Sequence, residues 1–121
     1  MWNRKDAVEH LNQHAGRYSQ GRCAEYVRKA VEAGGLKLLR RMSAKDYGES
    51  LELAGFYRVF AVPTVFFEAD IAIVAPLVDH PHGHIAMFNG AIWISDFKQL
   101  RGIYPGPAYR EHRPAIAIYR Y

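Results

Sequence analysis

The sequence lacks a second cysteine, a long apolar run and any run of basic residues longer than a pair. Because Cys23 is alone, no internal disulfide can form, so the fold does not depend on an oxidising compartment. The longest apolar run, residues 71–78, has the length of a strand and contains Pro76. A membrane-spanning helix needs about 18 apolar residues, so no membrane span is predicted.

The N-terminus offers no targeting segment either. Residues 1–6 are mostly polar and lead into no apolar stretch, so no secretory signal is predicted and synthesis in the cytoplasm is expected. The net charge of +4 is moderate, and the basic residues are scattered along the chain. This distribution excludes the basic patch of a nucleic-acid-binding protein, although it suits an acidic partner.

The chain does have enough apolar residues for one folded domain over residues 1–121, since 50% of them are hydrophobic and 13% aromatic. Helical spacing and capping residues predict three helices in the first half, over residues 3–16, 23–33 and 43–55. Short β-branched and aromatic segments then predict strands at residues 57–59, 71–75, 84–88, 91–95 and 115–119. Residues 98–114, with three prolines and two glycines, are predicted to form a surface loop. Helices segregated from an antiparallel sheet define an α+β fold.

Cys23 lies on the first turn of the second predicted helix, after the polar segment 19–22. Unpaired backbone N–H groups and the positive end of the helix dipole favour a thiolate at such a position, which makes Cys23 a candidate nucleophile. The alternative is that Cys23 is packed as a small apolar side chain, as single cysteines often are.

A base for this nucleophile is available in His80, His82 and His84, which alternate and therefore face one side of an extended chain. His84 is the preferred base because it begins a strand, and a strand positions a side chain more rigidly than a loop does. His82 stays open as the alternative.

A two-residue hairpin turn is predicted at Asn89-Gly90, the strongest short signal for such a turn. In that register, Ser95 or Asp96 comes close to His84. A carboxylate there would accept the imidazole N–H and fix its tautomer, as the third member of a catalytic triad does.

The three alternating histidines also permit two other interpretations. His80 and His82 can be solvated turn residues. His80, His82 and His84 can instead supply zinc ligands, with Asp70 or Asp79 adding a carboxylate, although the helical His-Glu-x-x-His pattern is absent. A zinc hydrolase is therefore a rival interpretation.

Two segments together resemble the CHAP and NlpC-type superfamily of papain-like cysteine amidases and endopeptidases. The first is Gly-x-Cys-x-x-Tyr-Val at residues 21–27, and the second is Gly-His-Ile-Ala at residues 83–86. Segments 68–74 and 92–96 extend the likeness over residues 19–97, with Ala69-Asp70 in place of the usual Gly-Asp. Enzymes of this superfamily cut amide bonds in bacterial peptidoglycan. The compact layout is also similar to the small amidase effectors of type VI secretion, or to a toxin domain of a longer secreted protein.

The resemblance implies a papain-like domain with Cys23 as nucleophile, His84 as base and Asp96 as the orienting residue, without a metal or cofactor. An oxyanion hole is expected from the Cys23 N–H and a nearby side chain. The candidates for oxyanion or substrate contacts are Gln20, Tyr18 and His82.

The resemblance also implies where the protein acts and on what. The expected substrate is the stem peptide of peptidoglycan, cleaved in the periplasm or cell wall of a target bacterium after export. A wall-cutting toxin implies an immunity protein that occludes the Cys23 cleft. The alternative from another class is a papain-like module that binds an envelope polymer or a partner protein without turnover.

Overall fold

The computed structural model describes all residues, 1–121, and confirms the predicted α+β fold class. The helices are α1 (Arg4–His14), α2 (Cys23–Ala33), α3 (Tyr47–Leu53), which follows a 3₁₀ turn at Ala44–Asp46, and α4 (Pro107–His112). The strands are β1 (Tyr57–Val59), β2 (Ile71–Val74), β3 (His84–Phe88), β4 (Trp93–Ile94), β5 (Lys98–Gln99) and β6 (Ile116–Arg120). None of the helices combines the length and the apolar character needed to cross a membrane.

All six strands form one antiparallel sheet in the order β1-β6-β2-β3-β4-β5. The last strand of the chain, β6, is inserted between β1 and β2. In the centre of the sheet β2 pairs with β3, so that Val74 at the end of β2 lies opposite His84 at the start of β3. This pairing holds the backbone of His84 in a central strand of the sheet, between β2 and β4.

The core lies between the helices and one face of the sheet. Helix α1 packs on α2, and α2 packs on β3. Val27 and Val31 of α2 are fully buried with Ile85 and Met87 of β3, because the apolar residues of each element share one face. This packing holds the N-terminus of α2, which begins with Cys23, against the start of β3.

The hairpin between β3 and β4 is wider than predicted. Phe88 pairs with Trp93, so the connection has four residues, 89–92, instead of the two of an Asn-Gly turn. The side chain of Asn89 holds this loop by accepting hydrogen bonds from the N–H groups of Ala91 (2.9 Å) and Ile92 (2.8 Å). The antiparallel pairing is confirmed, but its register is displaced from the predicted one.

The predicted loop 98–114 contains two elements that the sequence interpretation missed, β5 and α4. Helix α4 begins with Pro107 directly after Gly106, and proline is favoured at the first position of a helix because its missing N–H would have no partner there. The Gly106-Pro107 pair is therefore the sequence signal from which α4 could have been predicted.

Asp70 lies at the opposite end of β2 from the histidines. Its carboxylate is buried and binds the guanidinium of Arg120 through two hydrogen bonds of 2.8 Å. The neighbouring Ala69 has a φ of 72°, the backbone conformation that glycine adopts most easily. Asp70 therefore supports the far end of the sheet, and its suggested role as a zinc ligand is wrong.

Candidate active site

One cleft of about 640 Å³ brings together most of the residues singled out from the sequence. It opens between the N-terminus of α2, the start of β3 and the segment that leads into α4. Its lining includes the proposed nucleophile, base and orienting residue and the two other histidines of the alternating set, namely Cys23, His84, Asp96, His80 and His82.

Asp96 anchors the loop before the cysteine. Its Oδ2 accepts hydrogen bonds from the N–H groups of Gln20 (2.7 Å) and Arg22 (2.9 Å), and its Oδ1 accepts one from Ser95 Oγ (3.3 Å). The predicted contact between Asp96 and His84 is therefore wrong. The four-residue hairpin loop displaces β4, and the carboxylate turns to the N-terminus of α2, where negative charge is favourable.

Cys23 begins α2, and its thiol is free and half-buried. Burial raises the pKa of the Cys23 thiol above its ordinary value of 9.0, and the negative charge of Asp96 adds to the increase. Hydrogen bonding from the backbone N–H groups of Ile85 and Ala24 acts in the opposite direction without cancelling it. Burial of the thiol therefore works against the thiolate that its place at the helix start was expected to favour.

His84 is held in one orientation by Gln99 of β5. His84 Nε2 lies 2.7 Å from Gln99 Oε1, while Gln99 Nε2 donates to the carbonyl oxygens of Gly102 (3.1 Å) and Ile103 (3.0 Å). Because both amide hydrogens of Gln99 are used, only its oxygen faces the ring, so His84 Nε2 carries a proton. Burial lowers the pKa of His84 below 6.5, so the ring is neutral at neutral pH and Nδ1 has a free lone pair.

The free Nδ1 of His84 has no hydrogen-bond partner in the protein. It is nevertheless not a buried atom, so it faces the cleft that His84 lines. The only side-chain nitrogen or oxygen that is both buried and unpartnered in the whole chain is His10 Nδ1. His84 and Cys23 line the same cleft without a hydrogen bond between them. Catalytic hydrogen bonds are often long until the substrate is bound, so this arrangement is compatible with proton transfer from Sγ to Nδ1.

The three alternating histidines have separate partners. His82 Nδ1 lies 2.6 Å from Ser43 Oγ, His84 is bound to Gln99, and the ring of His80 packs on Tyr109 with 5.0 Å between the ring centres. No group of three or more His, Cys, Asp and Glu side chains is placed to hold a metal ion. The side chains required by the zinc interpretation are therefore not brought together. His82, the alternative base, uses its Nδ1 on Ser43.

The two side chains expected to complete an oxyanion hole, Gln20 and Tyr18, do not line the cleft. Gln20 Nε2 donates to the carbonyl oxygen of Asp96 (3.2 Å), and Gln20 Oε1 accepts from the hydroxyl of Tyr26 (3.1 Å). Tyr18 is 78% exposed and does not line the cleft. Gln20 instead braces the loop before Cys23, and Tyr18 faces solvent.

Two residues of the site were missed, Gln99 and Tyr109, and both lie in the segment predicted to be a loop. Tyr109 could have been found from the Gly106-Pro107 start of α4, which places Tyr109 in the first turn of that helix. A single glutamine in a polar stretch carries no comparable signal, because its role depends on the folding of β5 beside β4.

No protein-family model and no curated protein matches the chain. Among solved structures, the chain is 49% identical, with a TM-score of 0.92 over 99% of both chains, to a chain in the type VI native effector-immunity complex Tae3-Tai3 from Ralstonia pickettii. In the SeMet form of the same complex the identity is 50% and the TM-score 0.88, over 95% of this chain and 99% of that one. Ly7917 shares the fold alone, at 15% identity and a TM-score of 0.57, over 96% of this chain and 62% of that one.

The α+β fold, the cleft and these similarities together define the class as type VI secretion effectors. About half of the residues are identical over nearly the full length of both chains, which is enough to assign this chain to one family within that class. The chain belongs to the Tae3 effector family.

Proposed function

We propose that the protein is a papain-like, CHAP/NlpC-type cysteine hydrolase that cleaves an amide bond in the stem peptide of peptidoglycan. The observation that carries this proposal is the pair of hydrogen bonds by which Gln99 binds two backbone carbonyls and presents its oxygen to His84. This arrangement leaves an unprotonated nitrogen in the cleft that holds the only cysteine of the chain.

The chemistry begins with a neutral thiol and a neutral imidazole. Cys23 Sγ attacks the amide carbonyl carbon while its proton passes to His84 Nδ1, which acts as general base. The imidazolium that forms keeps its Nε2–H on Gln99 Oε1, and it then gives the Nδ1 proton to the departing amine. Water hydrolyses the resulting thioester with His84 acting again as base.

Membership of the Tae3 family supports a proposal for the substrate and the place of action. Type VI effectors of the Tae3 family are antibacterial, and a thiol amidase of this size has a suitable target in the peptide cross-links of the wall. We propose that the protein acts after export, in the periplasm or cell wall of the target bacterium. Its net charge of +4 favours approach to an anionic polymer.

An immunity protein is the partner we propose. The matched solved structures are effector-immunity complexes, so the corresponding partner of this chain would bind it in the producing cell. The cleft of about 640 Å³ at Cys23 is the surface that such a partner would occlude.

Chemical blocking of Cys23 tests the proposed function. Because the chain has one cysteine, iodoacetamide modifies a single site, and intact mass spectrometry verifies complete labelling. The untreated protein is expected to release muropeptides from purified sacculi, and the alkylated protein to release none above background. Equal release by both would exclude a thiol mechanism, and no release by the untreated protein would favour the non-catalytic binding module.

The pH dependence of hydrolysis provides an independent prediction. The active form has a neutral His84, whose pKa is lowered by burial, and a protonated Cys23, whose pKa is raised by burial. The plateau of kcat/KM is therefore expected to extend from below pH 6.5 to above pH 9.0. Gln99→Glu places a carboxylate beside Nε2–H, which raises the pKa of His84 and moves the acidic limb upward. An acidic limb that does not move would contradict the contact between Gln99 and His84.

A further inference from the structure

The start of α4 and the segment before it line the cleft, and Tyr109 is the buried aromatic residue of α4. Tyr109 is 5% exposed and lines the cleft together with Cys23. Its ring lies 6.3 Å from the ring of His84 and 5.0 Å from the ring of His80, measured between ring centres. The ring is thus fixed between two side chains of the site.

The hydroxyl of Tyr109 makes no hydrogen bond within the protein; this is also true of the buried Tyr47 and Tyr119, but of these three residues only Tyr109 lines the cleft. A buried tyrosine hydroxyl usually has a partner. The Tyr109 hydroxyl is not fully buried, because His10 Nδ1 is the only buried side-chain nitrogen or oxygen that lacks a hydrogen-bond partner. It is therefore a donor that is open to the cleft and unused by the fold.

The hydroxyl and the thiol of Cys23 share the cleft, and a negative charge on the thiol acts on the hydroxyl. Burial raises the pKa of Tyr109, and the negative charge of an ionised Cys23 raises it further. The hydroxyl is consequently protonated at neutral pH and can donate a hydrogen bond.

Of the other side chains suggested for this role, Gln20 and Tyr18 do not line the cleft, and His82 has one of its two ring nitrogens engaged. Gln20 binds the carbonyl oxygen of Asp96 and the hydroxyl of Tyr26, and Tyr18 faces solvent. His82 is bound through Nδ1 to Ser43.

We propose that the Tyr109 hydroxyl donates a hydrogen bond to the carbonyl oxygen of the scissile group as that oxygen becomes negative. When the Sγ–C bond forms, the π electron pair of the carbonyl moves onto oxygen, and the thiol proton moves to His84 Nδ1. Tyr109 keeps its proton throughout and stabilises the oxyanion together with the backbone N–H of Cys23. This inference rests on the proposed thiol mechanism but does not require a peptidoglycan substrate.

Two reagents that consume the same thiol test the inference. Acylation by p-nitrophenyl acetate passes through an oxyanion, whereas alkylation by iodoacetamide does not. Tyr109→Phe is expected to slow the p-nitrophenolate burst by at least about tenfold, and amide hydrolysis by about 10² to 10³ in kcat with little change in KM. Its alkylation rate is expected to stay within about twofold of the wild-type rate, since removing one neutral hydroxyl hardly changes the thiol pKa.

The matched control is Tyr104→Phe, which makes the same chemical change in the same segment. The Tyr104 hydroxyl donates to the carbonyl oxygen of Pro114 (2.7 Å), so this variant is expected to lose stability and keep both rates. Three results would overturn the inference: an unchanged burst in Tyr109→Phe, a parallel loss of acylation and alkylation, or a clear drop in its melting temperature. If wild-type protein is acylated but does not digest sacculi, the proposed peptidoglycan activity fails while the role of Tyr109 is still decided by the burst.

Discussion

Cys23→Ala is expected to abolish the release of muropeptides from purified sacculi, with a loss of at least about 10⁴-fold in rate. The physical reason is that the thiol is the nucleophile of the proposed mechanism, and alanine leaves no atom at that position that could form the thioester. The fold should persist, because Cys23 is half-buried and the substitution removes only its sulfur atom. We expect the free energy of unfolding to change by less than about 1 kcal/mol. Mass spectrometry of the soluble products measures the first effect, and thermal unfolding the second.

The histidines provide the controls for this result. His84→Ala is expected to cause a similar loss, and the Cys23→Ala/His84→Ala double variant should be no slower than either single variant, because the two residues act as one unit. His82→Ala tests the alternative base in the same cleft and should retain activity within about tenfold. Greater damage from His82→Ala than from His84→Ala would reverse the assignment of the base.

Asp96→Ala is expected to destabilise the protein by about 2–4 kcal/mol and to lower activity as well. Arg22 is the residue that precedes α2, and its own side chain provides no cap for the helix. The carboxylate of Asp96 instead fixes the loop before the helix by accepting from the backbone N–H groups of Gln20 and Arg22. Removal of the carboxylate leaves both donors without their partner at the point where the chain enters the helix that carries Cys23. Urea denaturation measures the stability, and exchange of the two amides reports the loss of their protection.

Asp96→Asn and Asp79→Ala separate geometry from charge. Asparagine keeps one oxygen that can accept from both N–H groups, so Asp96→Asn should retain more stability than Asp96→Ala. Loss of the negative charge should lower the pKa of Cys23, since Asp96 contributes to its increase. Asp79 is an exposed acid that lines the same cleft, and Asp79→Ala should leave the stability unchanged. Equal unfolding midpoints for Asp96→Ala and wild-type protein would disprove the anchoring role.

Local sequence patterns were sufficient to predict the first three helices and most strands, but not α4 or β5. Asn3 caps α1 by accepting from the N–H of Asp6 (3.0 Å), and Gly34 ends α2, both as their residue types indicate. Cys23 begins a helix and His84 begins a strand, as predicted. These features depend on neighbours within a few residues, which a sequence displays directly.

The partners of His84 and Asp96 depend on register between strands, which the sequence specifies only weakly. Asn89-Gly90 indicates a turn but does not distinguish a two-residue from a four-residue connection, and this difference decides where Asp96 lies. The raised pKa of Cys23 likewise follows from burial against β3, which cannot be inferred from its place at a helix start. In each case a contact between distant segments prevailed over the local pattern.

The burial that raises the pKa of Cys23 has a consequence for the thiol in an oxidising environment. Oxidants and disulfides react with thiolates, so a thiol whose pKa is raised by burial exposes little reactive sulfur at neutral pH. The single cysteine would therefore resist sulfenic acid formation and mixed disulfides in a periplasm, where exposed thiolates are readily lost. In the proposed mechanism nucleophilic sulfur is produced only when a carbonyl is in place and His84 takes the proton, so the same burial that delays ionisation would also preserve the thiol until it meets a substrate.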